Sequence, residues 1–195
     1  MVVTHTTIQQ EQTTGRSLLD ETLAAARRDQ QMATPEGEQV RQLTDGVRIR
    51  PLPVHADSRG SVCELFDVRW GWHDEPLVFA YAFTIRPGVV KGWSLHKEHE
   101  DRYVLIQGEM DLVLFDPRPA SSTYGKVCKI TLTANQRCIV NIPRNVWHAD
   151  HNIGSTDVLA VNFPTICYDH ASPDKYRLPV GTDLIPHSFG DAIGG

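Results

Sequence analysis

Gly88-Val-Val-Lys-Gly-Trp-Ser94-Leu-His96-Lys-Glu-His99-Glu-Asp101-Arg-Tyr-Val-Leu-Ile-Gln-Gly108 is the stretch on which the fold of this chain turns. A glycine opens it, apolar residues alternate around the histidine, and a second glycine closes it, the texture of strand, polar turn and strand. A second stretch, Arg137-Cys-Ile-Val-Asn-Ile-Pro143-Arg-Asn145-Val-Trp-His148-Ala-Asp-His-Asn152, repeats the arrangement, with a turn at Pro143–Asn145 before a histidine on a strand. Two such strands facing each other across a small barrel would point the His96 and His148 imidazoles into one cavity. That is a setting for chemistry on a small molecule.

The surrounding sequence has the same grain. Short β-runs at Val47–Pro51, Ser61–Asp67, Val78–Ile85, Tyr103–Gln107, Asp111–Phe115, Lys126–Leu132, Arg137–Ile142 and Val158–Phe163 are separated by Gly, Pro and Asp turns. With no long helical pattern between them, they imply an all-β sandwich or barrel. Gln107-Gly108-Glu109 reads as a tight hairpin. The segment from Tyr168, with Pro173, Pro179 and Pro186, is expected to wrap the outside or lid the cavity mouth. Residues 1–46 form an N-terminal arm: a Thr- and Gln-rich, disordered start, then a helix from an N-cap at Ser17 to Arg28 with Leu19 and Leu23 on one face. Residues 47–189 make the β-domain and 190–195 a flexible tail.

Bulk properties exclude several classes. A net charge of -5 over 195 residues, with no basic stripe, argues against a nucleic-acid partner. No apolar run reaches the roughly 18–20 residues of a membrane span, and the N-terminus has no secretory pattern, so a cytoplasmic protein is expected. Cys63, Cys128, Cys138 and Cys167 form no C-x-x-C pair and are expected as reduced thiols.

The two histidine stretches resemble the paired motifs of the cupin superfamily, double-stranded β-helix (jelly-roll) domains. Ser94 stands where that pattern usually has a first His, Asp101 where it has a Glu, and Arg137 and Asn145 replace its glycines. A narrower resemblance, to the dTDP-4-dehydrorhamnose 3,5-epimerases, rests on three stretches: Asp57-Ser-Arg59-Gly60-Ser-Val-Cys-Glu64, Asp116-Pro-Arg118-Pro-Ala-Ser-Ser-Thr123-Tyr-Gly125 and Pro143-Arg-Asn-Val-Trp-His148. It implies proton transfer next to the ketone of a nucleotide-linked keto-deoxysugar. His96 would be the base, His148 an orienting group and Asp101 part of the catalytic set; an imidazole suits because its pKa lies near working pH. Arg59, Glu64, Trp93, Trp147, Asn162 and Tyr168 would bind substrate, Arg59 by a bidentate contact to a diphosphate. The resemblance also implies a homodimer. The family carries a Lys at the position of Asp101 and a Tyr acid on the strand that here reads Val158–Phe163; Tyr103, Tyr124 or Tyr168 are the substitutes weighed for that acid.

Two other functions stay open. His96, Asp101 and His148 form a two-histidine, one-carboxylate set suited to one divalent first-row metal, the site of a metal-dependent isomerase, lyase or oxygenase. A non-catalytic sugar-binding cupin would keep the pocket without the chemistry. Plainer roles are also open: an Asp101–Arg102 surface pair, exposed turn positions for His99 and His151, core packing for Trp93 and Trp147, turn stabilisation by Arg59, solvent-facing Arg137 and Arg144, and capping by Asp174 or Asp183 rather than support of a base.

Overall fold

The computed structural model describes residues 16–29, 31–37 and 40–194. It comprises two compact units, Met1–Arg41 and Gln42–Gly195. In the first, helix α1 (Leu18–Ala25) begins at Ser17, whose hydroxyl accepts from the Asp20 amide at 3.2 Å while the Asp20 carboxylate accepts from the Ser17 amide at 3.2 Å. This reciprocal cap satisfies two amides of the first turn. The helix ends at Ala25, short of the expected Arg28, and has no basic residue in its last turn. The disorder expected before Arg16 lies outside the described residues.

The second unit is β throughout. Its strands are β1 (Arg48–Pro51), β2 (Val54–Asp57), β3 (Gly60–Cys63), β4 (Tyr81–Ile85), β5 (Val89–Leu95), β6 (Asp101–Gln107), β7 (Glu109–Phe115), β8 (Val127–Thr133), β9 (Cys138–Ile142), β10 (Trp147–Asn152), β11 (Val158–Asn162), β12 (Tyr176–Arg177) and β13 (Ile193–Gly194). One sheet has the order β1-β9-β6-β11-β4 and the other β12-β5-β10-β7-β8, with β13 beside β5. From β4 to β11 the chain passes back and forth between the sheets, a jelly roll.

That crossing pattern corrects one expectation. Gln107-Gly108-Glu109 is a corner, not a hairpin, because β6 pairs with β9 and β11 while β7 pairs with β8 and β10. Gly108 takes φ 89°, and a Cβ there would meet the Asp157 carbonyl at 3.0 Å. The run expected as Ser61–Asp67 stops at Cys63, and Asp67 instead caps a short 3-10 turn, Val68–Trp70, by accepting from the Arg69 amide at 2.8 Å. Ile193–Gly194, expected within a flexible tail, lies parallel to β5.

Strand alternation sorts the side chains. Met110, Leu112 and Leu114 of β7 point between the sheets, against Leu105, Ile130, Leu132, Val140, Val158 and Ala160. Val113 and Phe115 point outward, where Trp93, Leu178, Val180, Ile185 and Phe189 cover them. The outer face of the other sheet, at Val104 and Ile139, is closed by Leu52, Phe66, Trp70 and Trp72. Each buried leucine stabilises the fold by about 1.5–3 kcal/mol. At one end this apolar filling gives way to polar side chains.

Candidate active site

The two histidine stretches meet there. β5 and β10 are neighbours, with His148 opposite Ser94 and a register shift after His148. His96 is the first residue beyond β5 rather than a strand residue. Its carbonyl accepts the Asn145 amide at 2.7 Å, and Asn145 sits at φ 62°. Asparagine is among the few non-glycine residues that tolerate that left-handed position, which is why it replaces the motif glycine. Gly92 is required for a different reason, since a Cβ there would come within 2.5 Å of the Ala149 Cβ.

Asp101, at the start of β6, is the hub, with its side chain 1% exposed. Its Oδ2 lies 3.3 Å from His96 Nε2 and 3.5 Å from His148 Nε2, and its Oδ1 lies 3.6 Å from His99 Nε2. The Asn162 amide donates to Oδ1 at 2.6 Å and the Tyr103 hydroxyl to Oδ2 at 3.3 Å. Asn162 also donates to the Tyr81 hydroxyl at 3.0 Å. The His96–His148 ring centroids are 5.4 Å apart, so both imidazoles converge inside the roll.

Asp174, brought over by the segment after β11, supports the histidines. His96 Nδ1 donates to its backbone carbonyl, which fixes the tautomer and leaves Nε2 facing Asp101. Its carboxylate accepts from the Lys97 amide at 2.9 Å and the Glu98 amide at 2.8 Å, and pairs with His99 Nδ1 at 2.8 Å. Of the alternatives weighed for this residue, its carboxylate takes the capping role; the base His96 is met by its backbone carbonyl and not by the carboxylate.

Burial and charge split the site's protonation states. Burial would lift the Asp101 pKa, but bonds to His96 and His99 and the neighbouring imidazole charge hold it well below the ordinary range. Burial would lower His96, and pairing with Asp101 outweighs that, so His96 is raised. His148 is fully desolvated and falls to about 3, which keeps it neutral. Asp150, two residues on and therefore on the same inward face of β10, is lifted to about 8 by burial and then by the Asp101 charge. Its Oδ1 has no hydrogen-bond partner among the described residues.

Two cavities flank this cluster. One of about 220 Å³ is lined by His148, Asp150, Tyr103, Ser94, Lys91 and Arg177 among others. The other, of about 160 Å³, is bounded by Phe79, His99, Pro164, Ile166, Tyr168 and Asp169. Tyr81, His96 and Lys175 line both.

The remaining expected residues divide. Asn162 and Tyr168 reach the site, Asn162 as the anchor of Asp101 and Tyr168 as a wall of the smaller cavity. Trp93 and Trp147 do not, because alternation turns them to the outer face of their sheet, where Trp93 is fully buried against Phe189. Arg59 and Glu64 are exposed, and Arg59 pairs with Asp57 at 2.6 Å in the β2–β3 turn. Asp101 is no surface partner of Arg102, whose guanidinium is spent on the carbonyls of Glu75, Pro76, Phe163 and Pro164. His99, weighed as an exposed turn residue, is 8% exposed. Sequence reasoning missed Tyr81, Asp150 and Lys175. For Asp150 a signal existed, the period-2 series His148, Asp150, Asn152.

The chain matches the family model described as Polysaccharide biosynthesis C-terminal domain over residues 55–176. It belongs to that family. It is 33% identical to the Haloferax volcanii protein named Probable low-salt glycan biosynthesis epimerase Agl13, over 76% of this chain and 96% of that one. It is 31% identical to the spore coat polysaccharide biosynthesis protein SpsL of Bacillus subtilis, over 73% and 94% of the two chains. Among solved structures, the dTDP sugar isomerase of Desulfovibrio desulfuricans G20 superimposes with a TM-score of 0.71 at 23% identity, over 76% of this chain and 94% of the other. The fold is the jelly roll of the dTDP-sugar epimerases.

Proposed function

We propose that the protein is an epimerase that moves a proton on the carbon next to the carbonyl of a nucleotide-linked keto-deoxysugar. The observation that carries this reading is the convergence of His96 and His148 on one buried carboxylate at a cavity. The kinship to a glycan biosynthesis epimerase supports it. His96 Nε2 takes the proton, with Asp101 stabilising the imidazolium that results. Neutral His148 hydrogen-bonds the substrate. Tyr81, which lines both cavities beside His96, returns a proton as its phenol, a role not assigned to it from the sequence; burial and the Asp101 charge keep that phenol protonated. Tyr124 is 59% exposed and has no such place. The β2–β3 turn holds Arg59 outside the cavity, so its binding role, and that of Glu64, would be exerted on the site of a second copy in a homodimer. Four cysteines spread along the sequence with no C-x-x-C pair fit a reducing, cytoplasmic setting. No helix among the described residues is long and apolar enough to cross a membrane.

The test is solvent-deuterium exchange. Incubation in D₂O with a 4-keto-6-deoxy sugar nucleotide should place deuterium beside the carbonyl, followed by NMR, and His96→Ala should stop it. Tight binding without exchange would instead identify a non-catalytic sugar-binding cupin.

A second reading has its own observation. One ligand atom each from His96, Asp101 and His148 lie within 4.8 Å of one another, and these donors suit a first-row divalent ion. Bound there, a metal would polarise a carbonyl as a Lewis acid. Metal analysis of protein purified without added metal tests this, a stoichiometric ion being the expected sign.

A further inference from the structure

The segment after β11 does more than close the barrel. β12 joins the edge of β5, with Tyr176 opposite Leu95 and Arg177 opposite Ser94. Trp93 and Leu178 exchange backbone hydrogen bonds at 3.2 Å each just beyond it. Lys175 and Arg177 are two residues apart on this docked segment, and both line the larger cavity together with Lys91 of β5.

These three cations are unspent. Among the described residues none of them makes an ion pair; Lys91 rests over the Phe83 ring at 5.8 Å. The carboxylates in reach do not cancel them. Asp101 is committed to the histidines, Asn162 and Tyr103. Asp150 is 5% exposed, lines the same cavity and leaves Oδ1 without a partner among the described residues. Lys91, Lys175 and Arg177 are each exposed, so water solvates them, and the positive field they share at the cavity wall attracts an anion.

We infer that Lys91, Lys175 and Arg177 form a seat for an anionic group of the substrate, with Asp150 Oδ1 facing a hydroxyl beside it. The inference rests on the proposed function, because the seat shares its cavity with His96 and His148 and so holds part of the reacting molecule. The chemistry is that of clustered anionic oxygens, which a guanidinium and ammonium groups recognise by charge-assisted hydrogen bonds. Either the diphosphate or a carboxylate on the sugar ring would satisfy it.

Calorimetric titration of the full chain at low salt distinguishes the two, using UDP-glucose and UDP-glucuronate, with dTDP-glucose to cover base preference. Arg177→Gln and Lys175→Gln should each weaken binding roughly 10- to 100-fold. A diphosphate seat predicts that loss for every probe; a carboxylate seat predicts it for UDP-glucuronate alone. Arg177→Lys, which keeps the charge, should recover part of the affinity and so separates lost charge from lost fold. Equal affinity in wild type and both Gln variants, or no binding of any probe, would overturn the seat. Deuterium exchange that proceeds while affinity ignores these charges would sink the seat alone. Charge-dependent binding without exchange would leave the seat and remove the epimerase.

Discussion

Asp101 and Asp116 are both buried carboxylates held below their ordinary pKa, and Asp101 lies behind His96, Tyr103 and His148, which line a cavity. Asp116 finds its main partners within seven residues of itself: Arg118 Nε and Nη2 at 2.8 Å each, Ser121 Oγ at 2.5 Å and Thr123 Oγ1 at 2.6 Å. The counter-charge is a guanidinium that never loses its proton. Asp101 draws on residues far apart in the chain, from His96 to Asn162, and its counter-charge is an imidazole, a group that can give up its proton. A buried acid with a permanent cation ties a loop down. One with a titrating partner beside a void can do acid–base work.

The largest expected effect separates the two aspartates. Asp101→Ala should slow deuterium exchange by roughly 10²- to 10⁴-fold, the usual size of a general acid–base contribution. Asp116→Ala should leave exchange by the folded protein within a few-fold while costing about 3–5 kcal/mol of stability in urea unfolding, since it strands the partners of a buried pair. Slower exchange from Asp116→Ala at full folding would break the comparison.

The next effect concerns pH. Asp150 keeps its proton to about pH 8 when folded and loses it near the ordinary value of 3.8 when unfolded. The unfolded chain therefore binds fewer protons between those values, and stability falls as pH rises through that window, by at most about 1.4 kcal/mol per unit. His96 acts in the same direction: its raised pKa gives stability that is full below the ordinary histidine value and fades as pH rises through the folded one. His148, neutral when folded, adds stability as pH rises to about 6.5, so Asp150→Asn should flatten the decline in melting temperature measured from pH 6.5 to 8.5. An unchanged slope would show that Asp150 is not held protonated.

The smallest effect tests the turn that joins the motifs. Asn145→Gly should change stability by less than about 0.5 kcal/mol, whereas Asn145→Ala should cost about 1–2 kcal/mol, because alanine pays for the left-handed position. Equal costs would mean that the side chain, not the backbone, holds the turn.

Turns and alternation, which are local properties, carried an all-β sandwich or barrel, and the resemblance to the cupin motifs that hold His96, Asp101 and His148 carried the jelly roll and its central trio. The sequence did not carry the corner at Gly108, since a turn residue reports a change of direction and not which strand is paired next. Trp93 and Trp147 stood next to the right histidines in sequence and on the wrong face in space. Asp150 was legible by alternation on β10. Lys175 and Tyr81 were not, because their places depend on how the segment after β11 docks on β5 and on which strand neighbours Asn162.

The central claim is that one carboxylate sets two imidazoles to different tasks, His96 exchanging protons and His148 staying neutral. Nitrogen-15 NMR of the histidine rings across pH measures this directly. The account predicts that His96 titrates above the ordinary value of 6.5 and that His148 remains neutral down to about pH 4. Two rings titrating together near 6.5 would contradict it.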